Sequence, residues 1–188
     1  LLVVGGHLPP LYSQEEYIKT EKECRSACKI LGIKKIFFLK KVATQFNEEP
    51  IAKFNKSIDD IINIVNPDII FIPFPDRHID HRVIFESSMV ATRPVANGRK
   101  IEIVASYETL SETHWNAPFI EPNFYPNWVV DITKDIQKKI EALKCYESQI
   151  SEFPGPRSIE AVESLAKFRG TQAGFAYGEA MHIIRMVS

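Results

Sequence analysis

The 188-residue chain has almost no net charge: 23 Lys and Arg stand against 24 Asp and Glu, leaving −1 with histidine neutral. That balance lacks the basic footprint of a nucleic-acid binder, and no nucleic-acid partner is expected. Long apolar runs are also missing. The longest, such as residues 69–75, fall far short of the ~20 residues of a membrane helix, so no membrane span is expected. Cysteine is sparse and odd in number. Cys24, Cys28 and Cys145 cannot all pair within one chain, which points to a reducing, cytoplasmic setting. Cys24 and Cys28 share a helix face with Ala27 and Leu31, and no second cysteine pair exists, so they read as core packing and not as a zinc site. No signal peptide is visible. An initiating methionine is absent too, and Leu1 falls inside an apolar run, so the true N-terminus is expected upstream.

What the chain does contain is the composition of a soluble globular protein, 45% hydrophobic and 25% charged, in a length that suits one well-buried domain over 1–188. Short apolar strands alternate with amphipathic helices. Leu1 to Val4 reads as a strand. Ser13 and Glu16 form a capping box that opens a helix running to about Gly32, and Ile36 to Leu39 is a second strand. Phe54, Ile58, Ile61, Ile62 and Val65 recur at helical spacing until Pro67. "DIIFIPF", residues 68–74, is a continuous apolar run of the kind buried on both faces of a parallel sheet. A helix is expected from about His81 to Thr92, a turn at Asn97-Gly98, a strand over Ile101 to Ala105, and two late helices marked by Ile136, Ile140 and Leu143 and by Ile159, Val162, Leu165 and Ala166. Residues 106–127 are a long loop rich in Pro, Asn and aromatics, a pattern more often functional than connecting. The alternation predicts an α/β fold, a Rossmann-like three-layer domain with a mostly parallel sheet.

In such sheets ligands bind beyond the carboxyl ends of the strands. Past "DIIFIPF" stands "PDRHIDHR", which packs Asp76, His78, Asp80 and His81 into six residues. Imidazole and carboxylate are the ligands that zinc and iron(II) accept, and a carboxylate beside a histidine fixes its tautomer. Asp80 is placed to cap the helix that follows, with His81 in its first turn and His78 left in the loop. The bland alternative is a solvated loop with a capping aspartate; the density of histidine and aspartate at a strand end favours a metal site. Two patterns fit poorly. A metallo-β-lactamase-type site would need histidine where Asp76 stands, on a β-rich sandwich, and a non-haem iron oxygenase site belongs to a β-barrel.

A third pattern fits. "RHIDHRVIFESSMVATRP" resembles the His-x-Asp-His segment and following helix of the PIG-L (LmbE-like) deacetylases. "EKECRSACKILGIKKIFFL" resembles the helix and strand before it. "SYETLSETHW", "EPNFYPNWVVDITKDIQKKIEALKCYESQ" and "FRGTQAGFAYGEAMH" are similar to later segments in the same order, so the likeness covers nearly the whole chain. It implies a Rossmann-like fold and zinc-dependent hydrolysis of N-acetyl groups on N-acetylglucosamine-type sugars or glycoconjugates, with Fe2+ as an alternative ion. By position, the resemblance makes His81 a zinc ligand. It makes His78 the group that stabilises the oxyanion or protonates the leaving amine, and Asp80 the residue that orients a histidine. In the "ETHW" loop Glu112, Thr113 and Trp115 are candidates to contact sugar, and a homo-oligomer is compatible with the family.

The departure from the family is its opening motif. The Ala-His-Pro-Asp-Asp-Glu strand end, which in the family provides the general base and two further zinc ligands, appears nowhere in the chain. "VVGGHLPP" could be that strand with its carboxylates lost, making His7 the metal histidine. Only seven residues separate His7 from Glu15, however, too few for the helix and strand that the family places there. The stretch therefore reads as the second strand and its exit loop, with His7 near the substrate and the metal motif upstream of residue 1. A non-catalytic sugar-binding or assembly homologue is the other reading of the same fold. His114 and His182 stand alone.

Overall fold

A computed structural model describes residues 1–187. In chain order the elements are β1 (Leu2–Gly5), α1 (Gln14–Leu31), β2 (Phe37–Lys41), α2 (Ile51–Val65), β3 (Ile69–Pro73), α3 (Ile79–Ala91), β4 (Ile103–Tyr107), β5 (Trp128–Asp131), α4 (Ile136–Lys144), α5 (Ile159–Thr171) and β6 (Gly178–Met186). The fold is α/β and Rossmann-like. It divides into two compact units, Leu1–Ala43 with Val129–Glu179, and Thr44–Trp128 with the chain from Ala180 onward. Among the described residues no helix is long and apolar enough to cross a membrane.

The first unit starts from the crossover β1–α1–β2, whose strands pair in parallel with Leu2 opposite Phe37 and Val3 opposite Phe38. Parallel neighbours need such a connection, because a tight turn cannot reverse the chain twice. The expected capping box is present: Glu16 N donates to Ser13 Oγ at 3.2 Å and Ser13 N to Glu16 Oε2 at 2.7 Å. Gly32 ends α1 in the left-handed conformation at φ 74°, which glycine adopts without steric cost. Tyr17, Cys24, Ala27 and Cys28 form the buried stripe of α1, so both cysteines pack as apolar residues. Gly6 lies so near β2 that a Cβ would come within 2.9 Å of the Lys40 carbonyl carbon. One glycine of "VVGGH" therefore serves strand packing. Ile132, Ile136, Ile140 and Ala166 make the apolar cluster that joins α4 and α5.

The second unit holds the crossover β3–α3–β4. Its strands pair in parallel from Ile69 opposite Ile103 to Pro73 opposite Tyr107, and β6 pairs antiparallel with β4. Within this unit the strand order is β3-β4-β6. Sequence periodicity missed β5 and β6, since both are short on regular alternation and β6 follows a glycine-rich turn. β3 also differs from expectation. Ile72 and Phe74 are buried, but Ile69 and Phe71 are 43% and 47% exposed. A strand at the end of a sheet order lacks a neighbour along one edge, which leaves it more exposed than a central strand. Helix α2 turns Phe54, Ile58 and Ile62 inward, with Phe46 against Phe54 at 5.4 Å between ring centres.

Candidate active site

The cluster forms where β3 stops. Phe74 N donates to Tyr107 O at 3.0 Å, the last rung toward β4. Asp76 then turns its carboxylate inward until none of it is exposed. A short polar side chain at such a turn accepts from the amide two residues on, and His78 N donates to Asp76 Oδ1 at 3.0 Å. The same oxygen meets His81 Nδ1 at 2.9 Å, and Oδ2 accepts from Thr113 Oγ1 at 2.9 Å. Burial alone would raise the Asp76 pKa. The His81 hydrogen bond and charge, the His78 amide and the Thr113 hydroxyl outweigh it and leave the carboxyl below its ordinary value.

His78, and not Asp80, is the N-cap of α3: its Nδ1 accepts from Asp80 N at 3.2 Å. The helix begins two residues earlier than the spacing suggested, which puts Asp80 inside the first turn. These partners assign the tautomers. An amide can only donate, so the neutral His78 ring carries its proton on Nε2. An ionised carboxylate can only accept, so His81 donates from Nδ1, and in its neutral form the ring keeps a lone pair on Nε2. The two rings stack with centroids 4.8 Å apart and planes 23° apart. The cluster thus sets one imidazole with an Nε2 donor beside one with an Nε2 acceptor.

Among the described residues the Asp80 carboxylate makes no hydrogen bond to His81. Its Oδ2 accepts from Thr44 N at 2.7 Å, and its buried Oδ1 has no hydrogen-bond partner among the described residues. The histidine-orienting carboxylate is Asp76, two residues ahead of His78. That spacing was visible in the sequence, but the partner of His81 was not.

The long loop is anchored at both sides of this segment. Thr113 joins it to Asp76, and Glu121 joins it to the two arginines of "PDRHIDHR". Glu121 Oε1 accepts from Arg77 Nη1 at 3.0 Å and from Arg82 Nη2 at 2.8 Å. Glu121 Oε2 accepts from Ala117 N at 2.8 Å. The Ala117 amide is the chief cause that holds the Glu121 carboxyl below its ordinary pKa; the opposing push from loss of solvent is overcome with help from Arg82 and Arg77. Arg82 Nε also donates to the Asp76 carbonyl. None of Glu121, Arg77 or Arg82 was singled out by the sequence, which carries no periodic signal across a 44-residue separation.

The other predicted contacts fall in different surroundings. Glu112 opens a short 3₁₀ turn, Thr113–Trp115, through its backbone, donating to Thr109 O at 2.9 Å and accepting from Trp115 N at 3.1 Å. Trp115 is 64% exposed and Thr113 only 4%. His114 Nε2 lies 3.1 Å from Glu108. His182 Nδ1 holds the Tyr125 carbonyl at 2.7 Å, a structural link between β6 and the loop. Of the loop aromatics, Phe124 packs edge-on against Phe74 and Trp128 stacks on Phe71, whereas Phe119 and Tyr125 stay exposed. His7 belongs to the first unit, between β1 and the Leu8–Tyr12 bridge, with its ring 6.5 Å from Tyr17.

A metal implied by the family resemblance finds one suitable donor here. His81 has Nδ1 committed to a buried carboxylate and Nε2 available, as metal-binding histidines usually do. A catalytic zinc takes three protein ligands and a water. Among the described residues no group of three or more His, Cys, Asp or Glu could hold an ion. They provide one position of a site and not the set.

These features define a class: a Rossmann-like α/β protein with a histidine–aspartate cluster past the carboxyl end of a parallel strand. Over residues 6–92 the chain matches the model of the PIG-L family, described as GlcNAc-PI de-N-acetylase. The match contains the whole cluster from Asp76 to His81. The chain is 27% identical over 179 residues to diacetylchitobiose deacetylase of Thermococcus kodakarensis, covering 88% of this chain and 62% of that protein. It therefore spans less than two thirds of that relative. Among solved structures, N,N'-diacetylchitobiose deacetylase from Pyrococcus horikoshii superposes with a TM-score of 0.71 at 21% identity, covering 97% of this chain and 71% of that one. The 4-carboxy-2-hydroxymuconate hydratase GalB from Pseudomonas putida KT2440 superposes at 0.74 and 16%, covering 100% and 96%. The fold is shared by both, and it carries more than one chemistry.

Proposed function

We propose that the chain is part of a metal-dependent hydrolase that removes the N-acetyl group from an N-acetylglucosamine-type sugar or glycoconjugate. The observation that carries the reading is the pair of stacked histidines, His78 and His81, with the Nδ1 of one on the Asp80 amide and the Nδ1 of the other on the Asp76 carboxylate. Hydrolysis of an amide builds negative charge on the carbonyl oxygen and requires a proton on the departing nitrogen. His78 suits both needs, because its Nε2 carries the ring proton while Nδ1 is engaged. The loop that closes on the cluster brings Trp115, an exposed aromatic face on which a sugar ring can rest.

His81 is proposed as a zinc ligand, Fe2+ being the other candidate ion. A bound zinc supplies Lewis-acid polarisation and a water of lowered pKa. The family's His-Pro-Asp-Asp-Glu motif is not among these 188 residues. The names of the family and of the Thermococcus relative support the substrate class.

The test is amine release from N-acetylglucosamine conjugates by the full-length protein, together with metal analysis of the His81→Ala variant. The reading expects release by the wild type and loss of bound zinc in the variant. Undiminished zinc in His81→Ala would remove the ligand assignment, and a wild type inert toward every N-acetyl sugar conjugate tried would favour a sugar-binding homologue.

A further inference from the structure

Thr113 was read from the sequence as a sugar contact, yet it is only 4% exposed. Its hydroxyl already makes two hydrogen bonds. Thr109 N donates to Thr113 Oγ1 at 2.7 Å, and Thr113 Oγ1 donates to Asp76 Oδ2 at 2.9 Å. The direction of each bond is forced. A backbone amide can only donate and an ionised carboxylate can only accept, so the single hydroxyl proton must point at Asp76. No hydroxyl proton is left to offer a substrate.

The other oxygen of Asp76 holds His81 Nδ1 at 2.9 Å and His78 N at 3.0 Å. A carboxylate pinned through one oxygen can still rotate about its terminal torsion, which is broad for aspartate. Pinned through both, it keeps one plane and presents Oδ1 to His81. The second pin comes from the loop, 37 residues away in sequence.

We propose that Thr113 is a positioning residue: its hydroxyl fixes the plane of the Asp76 carboxylate and thereby holds His81 with the proton on Nδ1 and Nε2 free. This rests on the functional reading of His81 above. It replaces a substrate-contacting role for Thr113 with one exerted through Asp76. It also explains why a loop residue with no access to solvent stands beside the exposed Trp115: the same turn that presents the aromatic face locks the dyad beneath it.

The test is ¹⁵N imidazole NMR of the full-length protein with steady-state kinetics, for wild type, T113V, T113S and E121Q. Thr113→Val removes the hydroxyl at nearly constant volume, and Thr113→Ser retains it. Glu121→Gln loosens the same loop without touching Asp76. Wild type, T113S and E121Q are expected to show His81 as a single Nδ1–H tautomer, and T113V a mixture. T113V is also expected to lose about tenfold in kcat at unchanged KM, the lower end of what outer partners of a ligand contribute, with T113S restoring it. If T113V does not fold, Thr113→Ala is read in its place. A wild-type His81 spectrum in the hydroxyl-free variant would overturn the proposal, and so would a tautomer mixture in E121Q. Absence of amine release by the wild type would instead overturn the functional reading, and the NMR result would still decide the role of Thr113.

Discussion

A carboxylate shut away from water has to find its partners inside the protein, and Asp76 finds them in a backbone amide, an imidazole and a hydroxyl. Each is worth more to a buried charge than to an exposed one, because the alternative is an unpaired ion in a medium of low polarity. Asp76→Ala leaves those donors without an acceptor. The expected cost is about 3 kcal/mol, the range for breaking a buried charge–hydrogen-bond set, measured by urea unfolding of the full-length protein. A loss below about 1 kcal/mol would show that the carboxylate is not the organising group. At the same scale, Phe54 has no exposed surface, and Phe54→Ala is expected to cost about 3–5 kcal/mol in the same experiment, from transfer and cavity terms together. The two variants separate easily. Phe54→Ala should leave the His78 and His81 tautomers intact, and Asp76→Ala should not.

At the scale of elements, the clearest local signals were those with a fixed offset. The Ser13–Glu16 box was legible because capping needs particular residue types three apart. Ser13→Ala is expected to cost about 1 kcal/mol, read from the thermal midpoint. The loop over residues 106–127 had no such offsets, and its anchors became visible only when the chain was folded. Glu121 is the anchor that pH can release. Its folded pKa is depressed, so the stabilisation it provides is complete above the unfolded value of about 4.3 and is lost as pH falls through the lower folded value. Acid titration followed by tryptophan fluorescence should therefore show a step in the wild type below about pH 4 that Glu121→Gln lacks. Trp115, mostly exposed on this loop, is one of two tryptophans that report it. An identical acid step in both proteins would place the anchor elsewhere.

For the molecule as a whole, the alternation of strand and helix was enough to name an α/β fold, because helical and strand periods are properties of short windows. The rule that ligands gather at the carboxyl ends of parallel strands then led to "PDRHIDHR". Four features stayed hidden for physical reasons. β5 and β6 lack the clean alternation of a half-buried strand. The exposure of Ile69 and Phe71 depends on the place of β3 in the sheet order, which no local pattern encodes. The N-cap fell on His78 because an imidazole nitrogen can accept an amide as an aspartate oxygen does. The partner of His81 depended on which of two nearby buried aspartates meets its ring. The central claim is that these parts serve acetyl removal, with His78 delivering a hydrogen bond or proton from Nε2. It is tested most directly by the rate of amine release from an N-acetylglucosamine conjugate by the full-length wild type and its His78→Ala variant. The account predicts a fall in kcat of about 10²–10⁴-fold with zinc content unchanged. A His78→Ala enzyme that releases amine at the wild-type rate would contradict it.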